Sequence, residues 1–159
     1  MTLSESARMS SAAEARFRVQ APNSTPRVSK VIALDAAGEA VVRRLAGGAW
    51  EHATFLVAVS PDGALRDLAG QVRSVTDEVE TADLVVLVAG PGGHAETASR
   101  IGQACSHHRV MTTGFIVGAT SASDSGLSKT LAQVRPWSLM VVMASRDDYI
   151  DDMLTALRA

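Results

Sequence analysis

From Val28 onward, apolar runs alternate with segments that carry apolar residues on one helical face. Val28 to Leu34 predicts a strand. Gly38 to Leu45 places Val41, Val42 and Leu45 at helical spacing and is closed by Gly47-Gly48, so it predicts a helix. Thr54 to Val59 is an unbroken apolar run ending at Ser60-Pro61-Asp62-Gly63, a turn signal, and predicts a second strand. Ala64 to Val75 shows no clean period, and a short helix is the expectation there. Thr76 to Thr81 reads as an acidic connection. Leu84 to Ala89, Leu-Val-Val-Leu-Val-Ala, has no polar alternation and predicts a strand buried on both faces, as central parallel strands are. His94 to Ser106 then predicts a helix, Val110 to Val117 a strand, Ser123 to Val134 a helix and Leu139 to Ala144 a strand. Asp147 to Leu157 predicts a closing helix, with acidic residues in the first turn where they favour the helix dipole.

Strands alternating with helices imply an α/β fold, and right-handed crossovers make it a doubly wound, mostly parallel sheet with helices on both faces, Rossmann-like in plan. Ligands of such sheets bind at the carboxyl ends of the strands. The turns after Leu34, Ala89 and Val117 are therefore the places to look for chemistry.

Composition narrows the picture. The 159 residues suit one domain, and 47% of them are apolar, enough for a core without disulfides or metals. Residues 1–27, rich in Ser, Ala and Arg, read as a mobile N-terminal arm with a short helix at Ala12 to Phe17; residues 28–159 read as one α/β domain. A net charge of −2 gives no general reason to expect nucleic acid or an acidic membrane as partner. The apolar runs are too short to span a bilayer, and the first residues lack the apolar stretch of a signal peptide. Cys105 is the single cysteine, so neither an internal disulfide nor a cysteine-based zinc site is expected. The expectation is a cytoplasmic protein with no metal.

The turn after Ala89 reads Gly90-Pro91-Gly92-Gly93-His94-Ala95-Glu96-Thr97. Glycines let a backbone approach a ligand, the amides at a helix start suit an anion, and Thr97 offers a hydroxyl. The Gly-Lys-Ser/Thr ending of a Walker loop is missing, and Ala95 stands where the dinucleotide fingerprint needs its third glycine. The alternative is a plain strand-to-helix turn. Asp35, at the end of the first strand and followed by Gly38, is either a ligand-binding acid or a cap on the next helix. His94 and Glu96 could pass a proton or form a polar pair at a helix start. His107 and His108 are adjacent and diverge on a helix, a poor metal pair. Cys105 reads as a small core residue. The run Asp147-Asp148-Tyr149-Ile150-Asp151-Asp152 could bind a cation or a basic partner, or is a favourable charge pattern on a solvated helix start.

The segment Ala82-Asp83-Leu84-Val85-Val86-Leu87-Val88-Ala89-Gly90-Pro91-Gly92-Gly93 resembles the strand and signature loop of the FtsZ/tubulin GTPases, whose pattern is an acidic residue, an apolar strand and A-G-M-G-G-G-T-G-T-G. Leu131 to Asp147 is similar to that family's L-R-E-x-V-D-x-x-I-V-I-P-N-D region. The turn at Asp35 to Gly38 stands where the family has its first glycine-rich loop. The resemblance implies a nucleotide site at Asp35, Gly38, Gly90, Gly92, Gly93 and Thr97. His94, Ala95, Glu96 and Ala98 replace family Gly, Thr, Gly and Gly, and the Glu96 carboxylate would repel phosphate. The second domain and the catalytic acidic loop have no counterpart here, so a polymerising GTPase is not expected.

Three readings follow. The chain binds a small anionic ligand or nucleotide at the Gly90–Gly93 turn without turnover. Or it is a protein–protein or homo-oligomeric assembly module without a ligand. Or it is a small enzyme with His94 and Glu96 as acid and base.

Overall fold

The computed structural model describes residues 26–59, 64–119, 123–146 and 148–159. The elements run β1 (Ser29–Ala33), α1 (Ala36–Ala46), β2 (Ala53–Ala58), β3 (Leu65–Asp67), β4 (Val72–Arg73) and α2 (Val75–Glu80). They continue with β5 (Leu84–Ala89), α3 (Thr97–His108), β6 (Met111–Ile116), α4 (Asp124–Val134), a 3-10 turn (Arg135–Trp137), β7 (Met140–Met143) and α5 (Tyr149–Ala156). Among the described residues the strands form one seven-stranded sheet in the order β4-β3-β2-β1-β5-β6-β7. From β2 to β7 the pairings are parallel; β3 and β4 add an antiparallel edge.

The sheet separates two cores. Ile32, Val85 and Leu87 face Val79 of α2, Ile101 of α3 and Val134 of α4. Val31, Val86 and Phe115 face Val42 of α1 and Leu154 of α5. Helices therefore cover both faces, and the expected doubly wound plan is the observed one. Every residue of β5 is buried, because the strand lies between β1 and β6 with helices above and below it. The chain winds outward from β1 toward β2, and outward from β5 toward β7. The carboxyl ends of β1 and β5 consequently flank the topological switch point, where sheets of this kind leave a crevice.

Three expectations of local structure are corrected. The short helix expected within Ala64 to Val75 is instead the β3–β4 hairpin. Asp67 builds its turn: the carboxylate accepts from the amides of Ala69 (3.0 Å) and Gln71 (2.9 Å) and pairs with Arg73 (3.1 Å). The Gln71 amide first, then Arg73, holds the Asp67 carboxyl below the usual carboxylate range. The acidic connection expected at Thr76 to Thr81 is helix α2, capped by the Ser74 hydroxyl. The helix expected from His94 begins later, at Thr97, which leaves His94 in the turn. The short helix expected at Ala12 to Phe17, nearly all of the expected N-terminal arm, and Asp147 lie outside the described residues.

Helix α3 lies close to the 3-10 turn. A β-carbon on Gly102 would sit 2.7 Å from Trp137 Cγ and 2.9 Å from Cδ2. An exposed helical Gly→Ala change gains about 1 kcal/mol from propensity, whereas overpacking costs about 1–3 kcal/mol. Gly102→Ala is therefore expected to lower stability by roughly 1 kcal/mol net, read as a shifted urea midpoint. A gain would mean that the contact is slack.

Candidate functional site

Asp35 follows β1 and stands at the N-cap of α1, with its backbone extended. Its carboxylate accepts from the Gly38 amide at 2.8 Å, the capping bond that its position calls for. It also reaches across the switch point. The Gly90 amide donates to Oδ2 at 2.9 Å and Oδ1 at 3.2 Å. One side chain thus joins the start of α1 to the end of β5. Gly93 lies against the same group: a β-carbon there would collide with the Asp35 carboxylate.

The next amides of the turn are also taken. Gly92 has φ +76, a left-handed conformation that favours glycine. Its amide donates to the Gly126 carbonyl at 3.0 Å and to Thr130 Oγ1 at 2.9 Å. The buried Thr130 hydroxyl donates in turn to the Gly90 carbonyl at 3.1 Å. The Ala95 amide donates to Gln133 Oε1 at 3.2 Å. Gly126, Thr130 and Gln133 follow i, i+4, i+7 spacing, so one face of α4 straps the turn down. Sequence reasoning passed over all three, and that spacing opposite a glycine turn was the available signal. Thr97 Oγ1 is buried in the first turn of α3 and has no hydrogen-bond partner.

His94 and Glu96 meet each other, with Nδ1 and Oε1 3.3 Å apart, but on the surface: their side chains are 83% and 48% exposed. The Glu96 carboxyl is held below its ordinary range, first by its own backbone amide and then by His94. A lowered carboxylate is a weaker base. Cys105, on α3, is buried in the core, and that burial pushes its thiol up, away from the thiolate a nucleophile needs. Asp148 pairs with Arg146, and Asp151 with Arg44 at 3.0 Å. Among the described residues no group of three or more His, Cys, Asp or Glu side chains could hold a metal ion, and no helix is long and apolar enough to cross a membrane. A cleft of about 810 Å³ opens elsewhere, between α2 and α3, walled by Arg73, Arg100, His107 and His108.

Of the predicted residues, Asp35, Gly38, Gly90 and Gly93 converge at the switch point, with Gly92 bonded to α4 beside them. Together they define a doubly wound α/β domain whose ligand-position turn is closed by its own oxygen atoms. The same fold occurs in the translation elongation factor SelB of Methanococcus maripaludis, solved with the GTP analogue GppNHp. The likeness has a TM-score of 0.51 at 10% identity and covers 86% of this chain but 34% of that one. No family model matches the sequence, and no curated protein matches it.

Proposed function

We propose that this chain is a degenerate FtsZ-like nucleotide-fold domain that works as a protein–protein or assembly module, not as a polymerising GTPase. The observation that carries the reading is the Asp35 carboxylate on the amides of Gly38 and Gly90. An anion bound to glycine-turn and helix-start amides would need those donors. Here a fixed negative charge already holds them, and a phosphate brought to about 4 Å from it would meet repulsion of about 4 kcal/mol at an effective dielectric of 20. Thr130, Gln133 and the Gly126 carbonyl engage the neighbouring amides. The surface position of His94 and Glu96 weighs against the acid–base reading.

A second reading keeps a small anionic ligand or nucleotide at the turn. It is supported by the position at the switch point, by the unpartnered Thr97 hydroxyl, and by the GTP analogue held by the fold neighbour. Such a ligand would have to displace Asp35. A thermal-shift panel with GTP, ATP, NAD, CoA and inorganic phosphate separates the two. The assembly reading expects no shift with any of them. A ligand present at 100 times its dissociation constant would stabilise by about 2.7 kcal/mol, and a shift of that size with any of the five would replace the assembly reading with the second.

A further inference from the structure

From Thr97 to Ala144 the sequence holds four lysines or arginines and one acid, Asp124, although the whole chain carries 15 basic and 17 acidic residues. Asp124 opens α4, so it stands at the other end of that helix from Arg135. Arg109 follows α3 and Arg135 follows α4. Both are exposed, and neither pairs with an acid among the described residues. A cation after a helix favours the helix dipole. That accounts for the two charges but not for the apolar surface between them. Two clefts meet at Pro136, which lines both. One, of about 360 Å³, lies between the end of α3, the start of β6 and the 3-10 turn, and takes in Arg109, Met111, Trp137 and Leu139. The other, of about 400 Å³, runs along one face of α4 to Arg135. No acid lines either cleft. Leu139 is 80% exposed and Met111 40%.

We infer that these two clefts form a docking site for a segment of another protein that carries carboxylates on either side of a large apolar side chain. The inference rests on the assembly reading and gives its partner a chemistry. The composition of the surface is that of a protein interface: aromatic residues, Met and Arg are enriched at such contacts, while Lys, Asp and Glu are depleted. Trp and Arg are also the residues on which binding energy concentrates. The two guanidinium groups, with no acid of their own, set the sign of the partner. Each can take a carboxylate in a bidentate pair. Between them, Pro136 and Trp137 offer the apolar ground that a Leu, Phe or Trp of the partner would cover. The first 25 residues of this chain do not complement the site, because they carry three arginines and two glutamates.

Selection of a random peptide library, displayed on phage, against the immobilised full chain tests the site. Enriched peptides are expected to carry Asp or Glu on both sides of Leu, Phe or Trp. Labelled synthetic copies are then titrated with the full chain by fluorescence anisotropy. Arg109→Glu with Arg135→Glu is expected to weaken binding at least ~100-fold. Leu139→Ser, which removes an exposed side chain and no charge, is expected to weaken it ~10-fold. Both variants are expected to keep the wild-type circular dichroism spectrum. Arg66→Glu, across the sheet on β3, is expected to leave binding within ~2-fold, since charges so far away are screened. An empty selection overturns the inference, as do enriched peptides without acids. Binding that survives the double reversal, or that falls equally in Arg66→Glu, overturns it too. Phosphatidylglycerol vesicles are the second probe. Vesicle binding that the double reversal abolishes, with no peptide enriched, makes the surface a membrane contact and replaces the inference. The thermal-shift panel separates the two levels. A shift with any of its five compounds counts against the assembly reading, and an empty selection without such a shift counts against this surface alone.

Discussion

Lys30→Ala is expected to destabilise the fold by about 3 kcal/mol, one of the two largest single-residue effects in the domain. Lys30 lies on β1, in the middle of the sheet, and its ammonium meets Glu78 of α2 at 2.9 Å. The two side chains are 9% and 12% exposed. Removing the lysine leaves a carboxylate nearly out of water with no cation against it, and that uncompensated charge is the main cost. Replacing the whole pair is a different experiment. Lys30→Met with Glu78→Leu removes both charges and keeps most of the volume, so it is expected to recover most of the loss, since apolar replacements of buried pairs are often neutral or better. Urea melts of the single and double variants check this. If the double variant is as weak as the single one, the uncompensated Glu78 charge is not the main cost of removing Lys30.

The pair also explains part of what sequence could not supply. β5 was legible because six apolar residues in a row have few other homes than a central strand. The helices α1, α3 and α4 were legible because their apolar residues recur at helical spacing. Helix α2 was not. Its six residues, Val-Thr-Asp-Glu-Val-Glu, are too few for a period and carry three acids. It is held by Val79 in the core and by Glu78 on Lys30, contacts 48 residues apart in the chain. Strands β3 and β4 were hidden for a related reason. They span three and two residues, and their turn is organised by a side chain, Asp67, whose role depends on where the amides of Ala69 and Gln71 end up.

The candidate site was half legible. Asp35, Gly38 and the Gly90 turn could be named from strand ends and glycines, and the topology brings them together because β1 and β5 are neighbours in the sheet. That Asp35 would both cap α1 and bond the Gly90 amide could not be read, since the second bond crosses 55 residues of chain. Of the alternatives of ligand-binding acid and helix cap, the structure shows the cap. The carboxylate caps the helix while occupying the amides that an anion would use.

Asp35→Ala is therefore expected to do two opposite things. It should cost about 2–4 kcal/mol, combining a lost N-cap, about 0.5–2 kcal/mol, with an unpaired Gly90 amide in a part-buried site, about 1–3 kcal/mol. For a domain of this size that is a fall in Tm of roughly 5–12 °C. It should also vacate a cradle, because the Gly38 and Gly90 amides lose their acceptor and the room beside Gly93 opens. Inorganic phosphate, added at constant ionic strength, is then expected to raise the Tm of the variant by several degrees more than that of the wild type. The difference between the two proteins is the quantity to read, since phosphate stabilises any folded chain by exclusion from its surface. Asp35→Asn keeps a good capping side chain and one acceptor oxygen but loses the charge. It is expected to fall between the two in stability and to gain little from phosphate, because its amide still fills the space. Equal phosphate responses in the wild type and Asp35→Ala would mean that the carboxylate does not stand in for a ligand, and the closed-cradle reading would fail with it. A larger response in the alanine variant would mean that a single carboxylate separates this turn from an anion site.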